Sequence, residues 1–300
     1  MQVRPLETQR AAEAIALITA RLPHLPRTEA GLPFESPEIF PLRVCHTAHD
    51  EDDRIIGVGL VQRPGFAPAH RCGLRVMVAR DRERGGVGSA LRESLLPHVP
   101  TTITRLGTGV FDDEERSLAV AAHWGFEIEE HVIDSSLDLG DATTLPQSDL
   151  PRGVTLHEAP DRRFADPDDV ERMLRASQTN PEAALGFVMT LEGFGSMLAT
   201  GEEPVCVVAR VDGVPAGITF GGVQSGALHI AYSGVDPAFR GRGIMRVVKE
   251  RAHIVAARLG ATVSRTNTEE HNAGIRRINA DLGYVVRSGV YRMAKEHQTS

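Results

Sequence analysis

An apolar run from Leu228 to Val235 ends at Asp236-Pro237, and apolar residues at helical spacing resume from Met245 to Leu259. Between them stands Arg240-Gly-Arg-Gly243. The pattern predicts a strand, a glycine-rich turn and a helix in immediate succession. Such a turn aims free backbone N–H groups outward at the start of the helix, where the helix dipole adds partial positive charge. Together they make an anion site of the kind that holds a pyrophosphate. Glycine lets the backbone approach the phosphates without a Cβ in the way.

The following segments extend the pattern. Ala261-Thr-Val-Ser-Arg-Thr-Asn267 reads as a short strand, Glu270-His-Asn272 opens a helical run from Ala273 to Leu282, and Gly283-Tyr284 closes it. The arrangement resembles the acyl-CoA signature of the GNAT superfamily of N-acetyltransferases, Arg/Gln-x-x-Gly-x-Gly/Ala, which reads here Arg240-Gly-Arg-Gly243-Ile-Met245. Met245 stands where Gly or Ala is usual. The family continues with a strand, an Asn near the start of the next helix, and Leu-Gly-Phe/Tyr. Asn267, Asn272 and Leu282-Gly-Tyr284 fill those places. The resemblance spans Leu228 to Tyr284. It implies that Arg240, Gly241, Arg242, Gly243, Ile244 and Met245 hold the pyrophosphate of acetyl-CoA as co-substrate. It further implies that the backbone at Val235 meets the pantetheine arm, and that Asn267 and Asn272 belong to the cofactor site.

A weaker copy of the plan stands in the N-terminal half. Leu74-Arg-Val-Met-Val78 reads as a strand, Glu83-Arg-Gly-Gly86-Val-Gly88-Ser-Ala-Leu91 as turn and helix start, and Ser117 to Trp124 as a helix closed by Gly125-Phe126. The first signature position is Glu83, a carboxylate that repels a pyrophosphate. The asparagines are replaced by Asp112-Asp-Glu-Glu115, which reads as helix capping and dipole compensation. Self-similarity at half the chain length argues for a duplicated domain. The polar stretch 143–153, with two prolines and a glycine, reads as the linker between a degenerate domain over 1–142 and an acetyl-CoA-binding domain over 154–300.

Each half reads β, helices, β-hairpin, β, helix, β, helix, β. The hairpins are Leu42 to Ala48 with Ile55 to Val61, and Pro204 to Ala209 with Ala216 to Phe220 about Asp212-Gly213. Val154 to Glu158 restarts the second half, and Pro167 to Ser177 reads as an amphipathic helix. The order implies an α/β (α+β) fold, a mixed sheet with helices on its faces. With the resemblance, it implies two tandem acyl-CoA N-acyltransferase (GNAT) domains. Phe187, Met189, Phe194 and Met197, within Asn180 to Thr200, are expected to cover the acceptor side.

Composition excludes several classes. No apolar run is long enough to span a membrane and no signal segment precedes the first strand, so a cytoplasmic protein with no membrane partner is expected. Cys45, Cys72 and Cys206 are odd in number and unclustered, which reads as free thiols and not as a disulfide frame. His46 and His49 lack the companions of a metal site, and no metal is expected. The net charge is −7. Residues 1–150 carry 15 Arg against 23 Asp and Glu, a net −8, and residues 151–300 carry 18 Arg and Lys against 17, a net +1. No basic stripe suggests nucleic acid. Lys249 and Lys295 are the only lysines, a bias towards arginine that points to a GC-rich bacterial genome. A homo-oligomer is compatible with all of this.

For chemistry, the resemblance implies transfer of the acetyl group of acetyl-CoA to a primary amine, of a small molecule or a peptide, by direct attack in a ternary complex. Histone-modifying members carry a glutamate six residues before the Val that matches Val235. That place is His229, and histidine suits a general base. Strand alternation, absent a bulge, puts His229, Ala231 and Ser233 on one face. The tyrosine that many members place four residues before the Gly of Leu-Gly-Phe is Asn279 here, which cannot donate a proton usefully. Tyr291 is the candidate acid, with water as the default donor. The rival reading is a non-catalytic acyl-CoA-binding or regulatory protein, kept open by Met245 and Asn279.

Overall fold

The computed structural model describes residues 1–23, 27–35, 39–65, 67–159, 171–172, 174–175, 179 and 203–297. The expected helix over Pro167–Ser177 and the expected cover over Asn180–Thr200 fall almost wholly outside them. The chain divides into two compact units. The first comprises Met1–Val110, Glu115–Glu129 and Arg292–Ser300; the second comprises Phe111–Glu114 and Glu130–Tyr291. Among the described residues no helix is long and apolar enough to cross a membrane.

In the first unit the chain runs β1 (Gln2–Pro5), α1 (Ala11–Arg21), α2 (Arg27–Glu35), β2 (Leu42–His49), β3 (Ile55–Arg63), β4 (Arg71–Val78), α3 (Val87–Leu95), β5 (Arg105–Phe111) and α4 (Glu115–His123). Strands β1 to β4 pair antiparallel in sequence order, and β4 meets β5 in parallel. α1 buries Ala14, Ile15 and Ile18 against Val58 and Leu60 of β3. α3 buries Val87 and Leu91 against Ala48 and Ile56. Each such aliphatic side chain contributes roughly 1.5–3 kcal/mol when fully buried.

The second unit contains most of β6 (Glu127–Asp138), then β7 (Val154–Glu158), β8 (Glu203–Val211), β9 (Val214–Gln224), β10 (Ala227–Val235), α5 (Ile244–Arg258), β11 (Val263–Glu269), α6 (Ala273–Asp281) and the start of β12 (Val285–Glu296). Its strands lie in the order β12-β6-β11-β10-β9-β8-β7. The β8–β9 turn is Asp212-Gly213 with φ of 49° and 83°, the two positive angles that a type I′ hairpin needs. On α5, Ile244, Val248, Ala252 and Ala256 recur every four residues and bury one stripe against Val205, Val207, Ala209 and Leu228. Gly260, at φ 88°, lets the chain leave that helix.

The compact units do not coincide with the expected sequence halves, because most of β6 lies in the second unit and the end of β12, from Arg292, lies in the first. β6 from Val132 to Asp138 pairs antiparallel with β11 of the second unit. Residues 292–297 belong to the first unit, where Met293 and Ala294 are buried, Lys295 Nζ donates to the Trp124 carbonyl and the His297 amide donates to Thr104. Alternation within a strand fixes its two faces and says nothing of which neighbour it joins. The stretch 143–153, expected as the linker, packs on the second unit. Leu145 packs on the α5 core, and the Ser148 amide and hydroxyl both donate to the Glu250 carboxylate, at 2.7 and 2.8 Å.

Candidate active site

β10 and β11 are parallel neighbours over Ala227–Ile230 and Val263–Thr266, and then they part. β10 stays with β9 as far as Val235 opposite Gly217, while β11 stays with β6 as far as Glu269 opposite Val132. A bulge between Ile230 and Tyr232 turns β10 away. Gly221 permits it: a Cβ there would collide with the carbonyl oxygen of His229. Backbone groups of β10 beyond the bulge therefore face an open gap on the β11 side.

At the end of β10 the chain makes a short 3-10 turn, Pro237–Phe239, whose Ala238 amide is capped by Asp236 at 2.9 Å. Gly241 and Gly243 follow with φ of 77° and 76°, backbone that L side chains adopt only under strain. Gly243 is the N-cap of α5 and makes no side-chain cap hydrogen bond. The leading amides of α5 stand at the positive end of a 15-residue helix, without a side-chain acceptor among the described residues. Met245, the departure from the usual signature, does not obstruct this mouth. Its side chain is buried and its sulfur receives the Thr219 hydroxyl at 3.8 Å, so only its amide faces the turn. Ile244 is likewise buried in the α5 core.

The arginines are anchored. Arg240 donates from Nε to the Val235 carbonyl at 3.1 Å and from Nη2 to Thr179 at 2.7 Å. Val235 therefore keeps only its amide for a ligand. Arg242 stacks over Phe239 and reaches the Arg152 carbonyl at 3.3 Å. Asn272 is the N-cap of α6, with Oδ1 on the Ile275 amide, and Asn267 is exposed on β11 beyond the point of parting.

His229 is half-buried in the paired part of β10, opposite Arg265. Burial, and then the Arg265 charge, hold its pKa below the ordinary histidine value, so the ring is neutral near pH 7. The predicted face of His229, Ala231 and Ser233 is broken by the bulge. Ile230 and Val235 both join the α5 side, Ser233 meets Thr219 there at 3.0 Å, and Tyr232 packs with Phe220 on the opposite side. Tyr291 is not brought to the gap. It stands on β12, with β6 between it and β11, and its ring stacks on His131 at 4.4 Å. At ~4.8 Å per strand it lies about 10 Å from β11 in the sheet plane. His131 is in turn held by Asp112 at 3.0 Å and Glu270 at 3.1 Å. Asp112, expected to cap a helix, is instead committed to that histidine.

Sequence reasoning missed a buried network behind the gap. Lys249 of α5 is fully buried, donates to Asn279 Oδ1 at 2.7 Å and lies over the Tyr284 ring. Asn279 passes a hydrogen bond to Thr268, and the Tyr284 hydroxyl meets His253 and Ser264 at 2.8 and 2.6 Å. Burial pushes the Lys249 amine down to about 7 and His253 down to about 3, and it raises Tyr284. The one signal for this network is Asn279 itself, an amide where the resemblance expects a phenol.

No protein-family model matches the chain, and no curated protein matches it. Solved structures do. A tandem GNAT protein from the clavulanic acid biosynthesis pathway is 19% identical, over 100% of this chain and 99% of that one, with a TM-score of 0.78. A GCN5-related N-acetyltransferase from Sphaerobacter thermophilus is 16% identical over 98% and 95%, with a TM-score of 0.72. The glucosamine N-acetyltransferase region of a fungal multi-domain GH3 β-N-acetylglucosaminidase is 16% identical over 98% of this chain and 38% of that one, with a TM-score of 0.73. The chain has the tandem GNAT fold.

Within that GNAT frame the two units are unequal. The first repeats the turn, with Arg84 at φ 62° and Gly86 at φ 78° ahead of α3. It also repeats the parting of strands, since β4 and β5 pair only over Arg71–Gly73 and Arg105–Gly107. However, β4 pairs with β3 without a register shift, so the bulge is absent. Its counterpart of His229 is Cys72, a thiol that burial pushes up to about 11. Glu83 is held by Arg21 at 3.1 Å and Arg116 at 3.7 Å.

Proposed function

We propose that the second unit binds acetyl-CoA and transfers its acetyl group to a primary amine by direct attack in a ternary complex. The observation that carries the reading is the parting of β10 and β11 beside a helix N-terminus whose leading amides have no side-chain acceptor among the described residues. The amides from Gly241 to Met245 take the pyrophosphate. The open edge of β10 takes the pantetheine arm and holds the thioester in the gap, with the Val235 amide as its polarising donor. The amine attacks the thioester carbonyl carbon, His229 accepts the proton that the amine loses, and the C–S bond breaks as the tetrahedral adduct collapses. The thiolate takes its proton from solvent, because Asn279 is tied to Lys249 and Thr268 and Tyr291 stands two strands away from the gap.

The missing acid at Asn279 favours the second reading, a non-catalytic acyl-CoA binder. Release of free CoA from acetyl-CoA, measured against a panel of small amines and peptide amines, separates the two. Amine-dependent release that disappears in Gly243→Val supports transfer. Tight CoA binding with no release above the hydrolytic background overturns it.

A further inference from the structure

Between α6 and strands β6, β11 and β12 of the second unit lies an open cavity of about 320 Å3. Ligand sites occupy about 300–1,000 Å3. None of Arg240 to Met245, His229 or Tyr291 lines it, so it is separate from the proposed acetyl-CoA site. Its apolar wall is Ile133, Ala280 and Val286. Its polar groups are Ser135, Thr268 and Asn279. Among the described residues the charged side chains on its lining are Arg276 and Arg277, with no Asp or Glu, in a chain of net charge −7.

The donors are arranged for an anion. Arg276 is fixed by a 2.9 Å bond from Nη1 to the Glu270 carbonyl. Arg277 has no hydrogen-bond or ion-pair partner among the described residues. Thr268 Oγ1 accepts from Asn279, which leaves its own proton to donate. One side chain behind the wall stands the Lys249 amine, 2.7 Å from Asn279 Oδ1 and 5.3 Å from the Tyr284 ring centre, and both of those residues line the cavity. Arginine recognises a carboxylate in a planar fork, while the aliphatic wall accepts only an apolar body.

We propose that this cavity binds a small organic carboxylate, with its apolar chain on Ile133, Ala280 and Val286 and its carboxylate on Arg277 and the Thr268 hydroxyl. The site does not depend on acetyl transfer. It also carries a protonic signature. Burial holds Lys249 near half-protonation at neutral pH, and an anion placed beside it favours the ammonium form. Of the titratable groups around Lys249, His253 and Tyr284 are neutral near pH 7, while Arg246 pairs with both Glu250 and Asp281. On that side β11 presents the hydroxyls of Ser264, Thr266 and Thr268 by alternation.

The test is titration calorimetry of the full chain at pH 7 with octanoate as the probe and 1-octanol as its neutral counterpart. Octanoate should bind at least about tenfold more tightly than octanol, with proton uptake seen as a heat that varies with the ionisation enthalpy of the buffer. Arg277→Gln should weaken octanoate at least about tenfold. Ala280→Phe, on the exposed helix, should block the cavity, and Val286→Trp, at a position 59% exposed, is the second blocker should the first not fold. Saturating CoA should leave octanoate affinity unchanged. No octanoate binding, equal affinity for octanol, indifference to Arg277→Gln in a folded variant, or displacement by CoA would each overturn the proposal.

Discussion

Replacing Lys249 by methionine should make this protein more stable near neutral pH. The amine is fully buried, and burial lowers its pKa from 10.5 to about 7. In the unfolded chain it titrates near 10.4. Between those values the unfolded state holds the proton more tightly than the folded one, so stability rises with pH. A tenfold change in proton affinity is worth about 1.4 kcal/mol, which puts the penalty at about 4 kcal/mol at pH 7 and returns about 2 kcal/mol of it by pH 9. Methionine has a similar length and no charge to bury, although it leaves Asn279 Oδ1 without its donor, at a cost of ~1–3 kcal/mol. The net gain at pH 7 is roughly 1–3 kcal/mol. Urea unfolding of both proteins at intervals from pH 7 to 9 reads this directly, because the difference cancels every group they share. The wild type should close on the variant by about 1 kcal/mol for each step of one in pH. Parallel curves over that range, or a variant that is less stable throughout, would refute the reasoning.

Other expectations are simpler to check. Gly243→Val forces a β-branched residue into left-handed backbone at φ 76° and should weaken CoA binding at least about tenfold by calorimetry, given a local strain of ~1–2 kcal/mol before any contact with the phosphates; unchanged affinity rejects the turn as the pyrophosphate site. The pH profile of kcat/KM should rise through an apparent value below the usual histidine value, because burial and Arg265 favour the neutral ring, and His229→Ala should lower turnover by ~10²-fold and flatten that limb. A wild-type profile in that variant removes His229 from the chemistry. The double substitution Gly86→Ala and Gly88→Ala should leave acetyl transfer largely intact, and loss of turnover in a folded protein would make the first unit the active one.

Local elements are legible in the sequence because each carries its own period and punctuation. The hairpin at Asp212-Gly213, the turn at Gly241 to Gly243 and the helix that starts at Ile244 follow from residues adjacent in sequence. What stays hidden depends on partners far along the chain. The bulge at Ala231 arises where β10 must choose between β9 and β11, and nothing in Ile230-Ala-Tyr232 announces it. Lys249 reads as a solvated helix residue until Asn279 and Tyr284, some thirty residues on, are laid over it. Met245 reads as a defect in the cofactor signature, and only the position of Thr219 shows that its side chain turns inward. Tyr291 stands out only by elimination among tyrosines, and strand order decides against it.

The division of β6 and β12 between the units bears on how this protein can be dissected. Residues 1–142 carry most of a strand that completes the other unit, and they lack 292–297, which bury Met293 and Ala294 in their own. Neither half of the sequence therefore encodes a finished fold. A clone cut at the apparent midpoint would leave each fragment with one orphan strand and one unfilled sheet edge, an invitation to pair with a second copy. Fragments meant to test one catalytic unit have to be drawn across the midpoint or supplied with the missing strand in trans. For the same reason, loss of 292–297 is a lesion of the first unit, although those residues follow the second unit in sequence.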